Sequence, residues 1–350
     1  MRNNLIMTGE VMASGEGRNG WVRPLWAFLV CVSSALCVCV PSLFAQSQPM
    51  TTPTDNNTSL PDFDSLWDYG DAAATRKQFE SIRARTPDAP ASYRLQLLTQ
   101  IARTHGLEGD FDAAHALLDE VETALAQAQV QSPSVEGVRY LLERGRVHRS
   151  GGAADKARPL FEQAFDMGQR VGADYHAIDA AHMVAITVDS TDTRRQWSRR
   201  GITIAEASSE PRARHWLGSI YNNLGWDYHG AGELDTALEL FEKALTARLE
   251  EKEPGPVSIA RWCVARGLRS LDRWQEALTI QQQLLAEHEA AGTSDGYVSE
   301  ELGELFLALG EATQAATHFA EAHRLLSQDS WFVANESERL KRIELLSRTR

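Results

Sequence analysis

Few residues in this sequence have types and spacing that could do chemistry. His176, Asp179 and His182 recur at three-residue steps, which on a helix brings side chains close enough to share a metal ion. No fourth ligand lies near them in sequence, so a polar stripe on a helix is the plainer reading. His288-Glu289 opens like a zinc-protease helix, but Gly292 stands where the second histidine belongs. A phosphate loop ending in Gly-Lys-Ser or Gly-Lys-Thr is absent, as is the Gly-x-Ser-x-Gly nucleophile elbow. Cys37-Val38-Cys39 falls in an apolar leader and is no redox pair of a mature chain. Cys263, between Trp262 and Val264, reads as a small half-buried hydrophobe. These residues point away from an enzyme, and no metal or cofactor is expected.

The composition is that of a folded protein. The chain has 350 residues, 43% hydrophobic and 24% charged, with net charge −13. Whole-chain disorder, collagen and a polytopic membrane protein are excluded on those values. The acidic balance argues against nucleic acid, which calls for a basic surface.

Residues 1–45 read as a secretory signal. Arg18 and Arg23 precede the apolar run from Leu25 to Val40, Pro41 breaks it, and Leu43-Phe44-Ala45 leads into polar Gln46. An uncleaved anchor is the alternative, since Leu25 to Ala45 is just long enough to span a bilayer. Either way the rest of the chain is expected outside the cytoplasm, periplasmic or extracellular. Residues 46–62, with three prolines and no apolar period, read as a flexible linker. Without the leader the charge is −14 and Cys263 is the single thiol, so packing alone must hold the fold.

Everything after Phe63 is organised by a repeat. In Ser219 to Leu245, Tyr221, Leu224, Gly225 and Tyr228 share one helical face. Gly230-Ala231-Gly232 ends that helix, and Leu234, Ala237, Leu240, Phe241 and Ala244 line the inner face of a second. Small residues facing large ones make an antiparallel helix pair. The same order recurs around Ala114, Ala157, Ala277 and Ala315, at intervals of about 40 residues. The gap between Ala157 and Ala237 must hold one more pair, 173–207. Its first helix is plain and its second is not, since Thr193 or Arg194 takes the small-residue position. Arg144, in an apolar place, is another departure. Residues 63–90 and 334–350 read as capping helices around repeats at 91–333.

The order aromatic, Leu-Gly, aromatic, glycine turn, Ala, Phe, Ala resembles the tetratricopeptide repeat. That resemblance implies an all-α, right-handed superhelical array of about six helix pairs, with the first helix of each pair lining a concave groove. In register, the groove residues are Arg103, Arg139, Arg146, Arg149, His182, Asn222, Trp226, His229, Trp262, Arg266, Arg269 and Tyr297, followed by Glu300 and Glu304. Six arginines beside exposed tryptophans suit carboxylate recognition with aromatic packing. The expected function is a non-catalytic scaffold of the cell envelope that binds a peptide or acidic partner segment. A sensor for a small anionic ligand is the alternative. Contact with a membrane is expected only through an uncleaved N-terminal segment.

Overall fold

The computed structural model describes residues 60–127, 133–251 and 254–348. The leader and the linker up to residue 59 lie outside the described residues. No strand occurs among those described. The chain divides into two compact units, one ending at Ile204 and the other beginning at Ala205.

In the first unit a 3-10 turn, Phe63–Leu66, precedes α1 (Ala72–Arg85). The pairs α2 (Ala91–Leu107) with α3 (Phe111–Gln127) and α4 (Val135–Ser150) with α5 (Ala154–Val171) follow, then α6 (Asp174–Ala185). The boundary at Ile204 falls in the last turn of α7 (Thr191–Ala207), and the short α8 (Pro211–Arg214) follows. The second unit pairs α9 (Trp216–Gly230) with α10 (Leu234–Glu251), α11 (Pro254–Ser270) with α12 (Trp274–Ala290), and α13 (Gly296–Ala308) with α14 (Ala312–Leu326). It closes on α15 (Ser330–Asn335) and α16 (Ser337–Ser347). None of these helices is long and apolar enough to cross a membrane.

Two local devices repeat in every regular pair. The turn between the helices holds one residue in the left-handed region: Gly109, Gly152, Gly232 and Gly310, with Asp272 (φ 59°) in the fifth pair. Five residues later comes an alanine whose side chain is buried, at 114, 157, 237, 277 and 315. The turn reverses the chain within three residues because glycine meets no Cβ penalty there. The alanine then lets the second helix approach the first.

The interlock between the helices follows a fixed spacing of sixteen residues. Gly145 faces Phe161, Gly225 faces Phe241 and Gly303 faces Phe319, and all three rings are fully buried. A Cβ at Gly225 would come within 2.6 Å of its ring, and one at Gly303 within 2.9 Å. At the same spacing, where the first helix carries Ala102 or Ala265, the second carries the slimmer Leu118 or Gln281.

Gln281 is the costly member of that set. It is fully buried, and neither amide atom finds a hydrogen-bond partner in the protein. Such a group forfeits its hydration, at about 1–3 kcal/mol. Gln281→Leu keeps the side chain slim beside Ala265 and is expected to raise stability by about 1–2 kcal/mol, read as a higher urea midpoint at constant m. Gln281→Phe should bring no such gain unless Ala265→Gly makes room for the ring.

The pair at 173–207 differs from the sequence reading. Its second helix forms in full as α7, with Ser190 Oγ accepting from Thr193 N at 3.3 Å at its start. Trp197 takes the place of the buried phenylalanine and packs edge-on against Phe165 of α5, centroids 5.1 Å apart. The anchor is thus one large ring reaching back to α5, from the apolar face of Trp197, Gly201 and Ile204 that the sequence offers in place of the small residue. Arg144 is buried because α3 supplies its partners: its Nη1 lies 2.7 Å from His115 Nδ1 and its Nη2 pairs with Asp119.

Candidate functional site

Counted from the small residue at each close approach, one register position carries Arg103, Arg146, His182, Trp226, Arg266 and Glu304. Three residues earlier in each repeat stand Gln100, Glu143, Asp179, Asn223, Cys263 and Glu301. These two rows lie on one helical face. Within each unit the side chain of the first row reaches to the second row of the next repeat. Arg103 donates to Glu143 at 3.4 Å, and Arg146 to both oxygens of Asp179 at 2.6 and 2.5 Å. Arg266 lies 4.0 Å from Glu301, which also accepts from Arg269.

The expected uncompensated arginine surface is therefore corrected. Glu143, Asp179 and Glu301 are almost fully buried on the same faces, and the sequence register passed over them. Asp179 and Glu301 both stay below the usual carboxylate range. Burial alone would raise them, but Arg146 and Arg103 outweigh it at Asp179, and Arg269 and Arg266 at Glu301. Arg139 pairs with Asp64 and is itself buried. Glu300 and Glu304 are held by Arg339 and Arg342 of α16. The metal reading of His176, Asp179 and His182 fails for the same reason, since Arg146 occupies both oxygens of Asp179. Among the described residues no group of three His, Cys, Asp or Glu side chains could hold a metal ion.

Two arginines stand apart. Arg149 donates only to the Ile186 carbonyl, at 3.5 Å, and burial lowers its pKa. Arg266 donates to Ser270 Oγ at 2.6 Å while its nearest carboxylate is taken by Arg269, and burial foremost lowers its pKa. His182 faces Arg146 and Arg149, and burial first, then these charges, push its pKa down to about 4, against the opposing pull of Asp179. The unfolded imidazole titrates near 6.5, so the unfolded state takes up its proton first as pH falls. Stability from His182 is complete above about pH 6.5 and is lost down to about pH 4, by at most about 3 kcal/mol. Urea titrations at about pH 7.5 and about pH 5 should show this loss, and His182→Gln should flatten it.

In the second unit the step before the Arg266–Glu301 rung is aromatic. Trp226 stands in the arginine row, and it lines one cavity with Cys263 of the carboxylate row of the next repeat. Burial pushes the Cys263 thiol up to about 12, so it is no nucleophile at neutral pH. Trp226 and Trp262 lie with ring centroids 6.2 Å apart, and Trp262 Nε1 donates to the Tyr297 carbonyl at 3.2 Å. Both tryptophans are buried, not exposed as the sequence suggested. Their edges line a cavity of about 50 Å³ together with Asn222, Cys263, Leu284 and Tyr297. Asn222 is 8% exposed, and its Oδ1 has no hydrogen-bond partner. Next to this cleft Trp226 meets His229 edge-on at 5.1 Å, and His229 Nε2 lies 2.8 Å from Ser270 Oγ, which links it to Arg266.

The tetratricopeptide repeat profile matches residues 217–250, the pair formed by α9 and α10. No curated protein sequence matches the chain. Among solved structures it is similar to a signal transduction ATPase with a tetratricopeptide repeat sensor from Pyrococcus horikoshii. The TM-score is 0.62 at 12% identity, covering 79% of this chain and 44% of that one. It is similar also to the apo form of RapI, with TM-score 0.61 at 10% identity over 80% of this chain and 83% of that one. A third likeness is to BtubC from P. vanneervenii, TM-score 0.51 at 16% identity, over 67% and 94% of the two chains. Helix pairs with left-handed turns, buried alanines and a glycine–phenylalanine interlock, one pair matched by the family profile, give the chain the architecture of a tetratricopeptide-like α-solenoid.

Proposed function

We propose that the chain is a non-catalytic docking scaffold of the cell envelope that receives an extended segment of a partner protein on the first helices of its second unit. One observation carries this reading: a buried, unpartnered acceptor, Asn222 Oδ1, in a mainly apolar cleft between Trp226 and Trp262 that Ser258 and Asp295 also line. Beside an open cavity, unlike the enclosed Gln281, such an acceptor is placed to take a donor from a bound segment. The partner places one apolar side chain in the cleft and points an N–H at Asn222. An acidic residue beside it meets Arg266, whose charge is undercompensated. At about 50 Å³ the cavity takes the tip of a side chain, whereas a small-molecule site calls for roughly 300 Å³ or more. No arginine lines it, so a small anion is the weaker reading. The envelope location rests on the leader from Arg18 to Ala45.

Selection of a random peptide display library on the purified chain tests this. The expected winners carry an aliphatic or aromatic residue followed closely by Asp or Glu, and they are lost on Trp262→Ala and on Arg266→Glu. Winners that bind both variants undiminished refute the assignment.

A further inference from the structure

The capping helix expected over 63–90 begins only at Ala72, and the residues before it pack in an irregular conformation. From Leu60 to Asp71 the chain has no regular structure beyond the turn at Phe63–Leu66. It lies against α1, where Phe63 and Trp67 pack on Phe79 and Asp68 bonds Thr75, and against the faces of α2 and α4 that carry two of the candidate groove residues, Arg103 and Arg139. The Arg139 guanidinium engages both carboxylate oxygens of Asp64, one of them at 2.9 Å, and sits 5.5 Å from the centre of the Phe63 ring. Trp67 Nε1 donates to Gln100 Oε1 at 3.1 Å. Trp67 and Tyr69 stack at 4.8 Å, and Arg103 lies 5.5 Å from the first ring and 5.3 Å from the second.

The surface read from sequence as a receptor for acidic segments thus already holds one. Residues 61–69 read Pro-Asp-Phe-Asp-Ser-Leu-Trp-Asp-Tyr, aspartates alternating with aromatics. The contacts are those by which guanidinium groups recognise such a segment in any chain: a two-point fork on a carboxylate and cation–π contact with rings. The segment is fastened at Phe63 and Asp64, while Leu60 and Tyr69 towards its ends are 40% and 51% exposed.

We propose that this face of α2 and α4 is a receptor for acidic–aromatic peptide segments, filled in cis by residues 60–69, and that a partner segment of the same chemistry displaces the chain's own. A tethered segment competes at an effective concentration of about millimolar. A single partner copy of equal affinity therefore exchanges in that range, and a partner bound at further points exchanges well below it. This site is independent of the Trp226–Trp262 cleft, and either assignment can fail without the other.

The test uses a labelled synthetic peptide with the sequence of residues 60–70 and the full chain. Asp64→Lys with Trp67→Ala frees the face. That variant, with its helical circular dichroism intact, should bind the peptide at least about tenfold more tightly than the wild type does. Adding Arg139→Glu should abolish the binding. A folded variant that takes up no peptide overturns the proposal. Should the variant lose its helical signal, hydrogen exchange on the wild type decides. With peptide at about 5 mM, residues 60–70 should exchange at least about threefold faster, and an unchanged rate overturns the proposal.

Discussion

Gly225→Ala is expected to destabilise the second unit by about 3 kcal/mol, although alanine is the better helix former by about 1 kcal/mol. The added methyl would lie 2.6 and 2.7 Å from two carbons of the Phe241 ring. That ring has no exposed surface and also contacts Trp226, at 5.0 Å between centroids, so it has no open space to swing into. The chain itself contains the remedy, because Ala102 faces Leu118 at the same spacing of sixteen residues. Phe241→Leu alone should cost about 1–2 kcal/mol for the lost ring volume. Combined with Gly225→Ala it should recover much of the loss, giving a coupling of about 2 kcal/mol by urea denaturation. Two simply additive losses would mean that the helices are not interlocked at this contact.

The second large effect is expected at Glu301. This carboxylate is 3% exposed and serves Arg269 directly, with Arg266 at 4.0 Å. Removing it leaves two half-buried guanidinium groups beside each other, and truncating one partner of a buried ion pair costs about 3–5 kcal/mol. Glu301→Ala should therefore unfold the C-terminal helix pairs at much lower urea. Glu301→Ala with Arg269→Ala should be less damaging than the sum of the two, because the stranded charge leaves with its partner. Circular dichroism with α13 reported by hydrogen exchange would read both. A loss below about 1 kcal/mol would show the pair to be solvated in the manner of an exposed salt bridge.

Particular residues show why some features were legible and others were not. Ala114, Ala157, Ala237, Ala277 and Ala315 announce the helix pairs because each sits five residues after its turn, and both signals are local. The helix at Thr191–Ala207 was expected but faint in sequence, because Trp197 of its apolar face anchors it through Phe165, 32 positions away. Arg103, Arg146 and Arg266 share one register position on the first helices, but their partners Glu143, Asp179 and Glu301 stand one repeat further on. Their pairing depends on how successive helices stack, which no window of a few turns contains. The register offset of Arg103 to Glu143, Arg146 to Asp179 and Arg266 to Glu301 was the available signal, and it becomes visible once the repeats are superposed.

By itself the sequence determined the helix pairs, their turns and their tight interlocks, because a 3.6-residue period and the need for glycine at a left-handed turn act between near neighbours. Only the tertiary structure decided which charges are matched. It turned a row of arginines into buried rungs, left Asn222 without a donor in an aromatic cleft, and laid Asp64 and Trp67 across α2 and α4. Those outcomes depend on distances between groups about 35 to 75 positions apart along the chain, set by packing and by the cost of burying a charge unpaired.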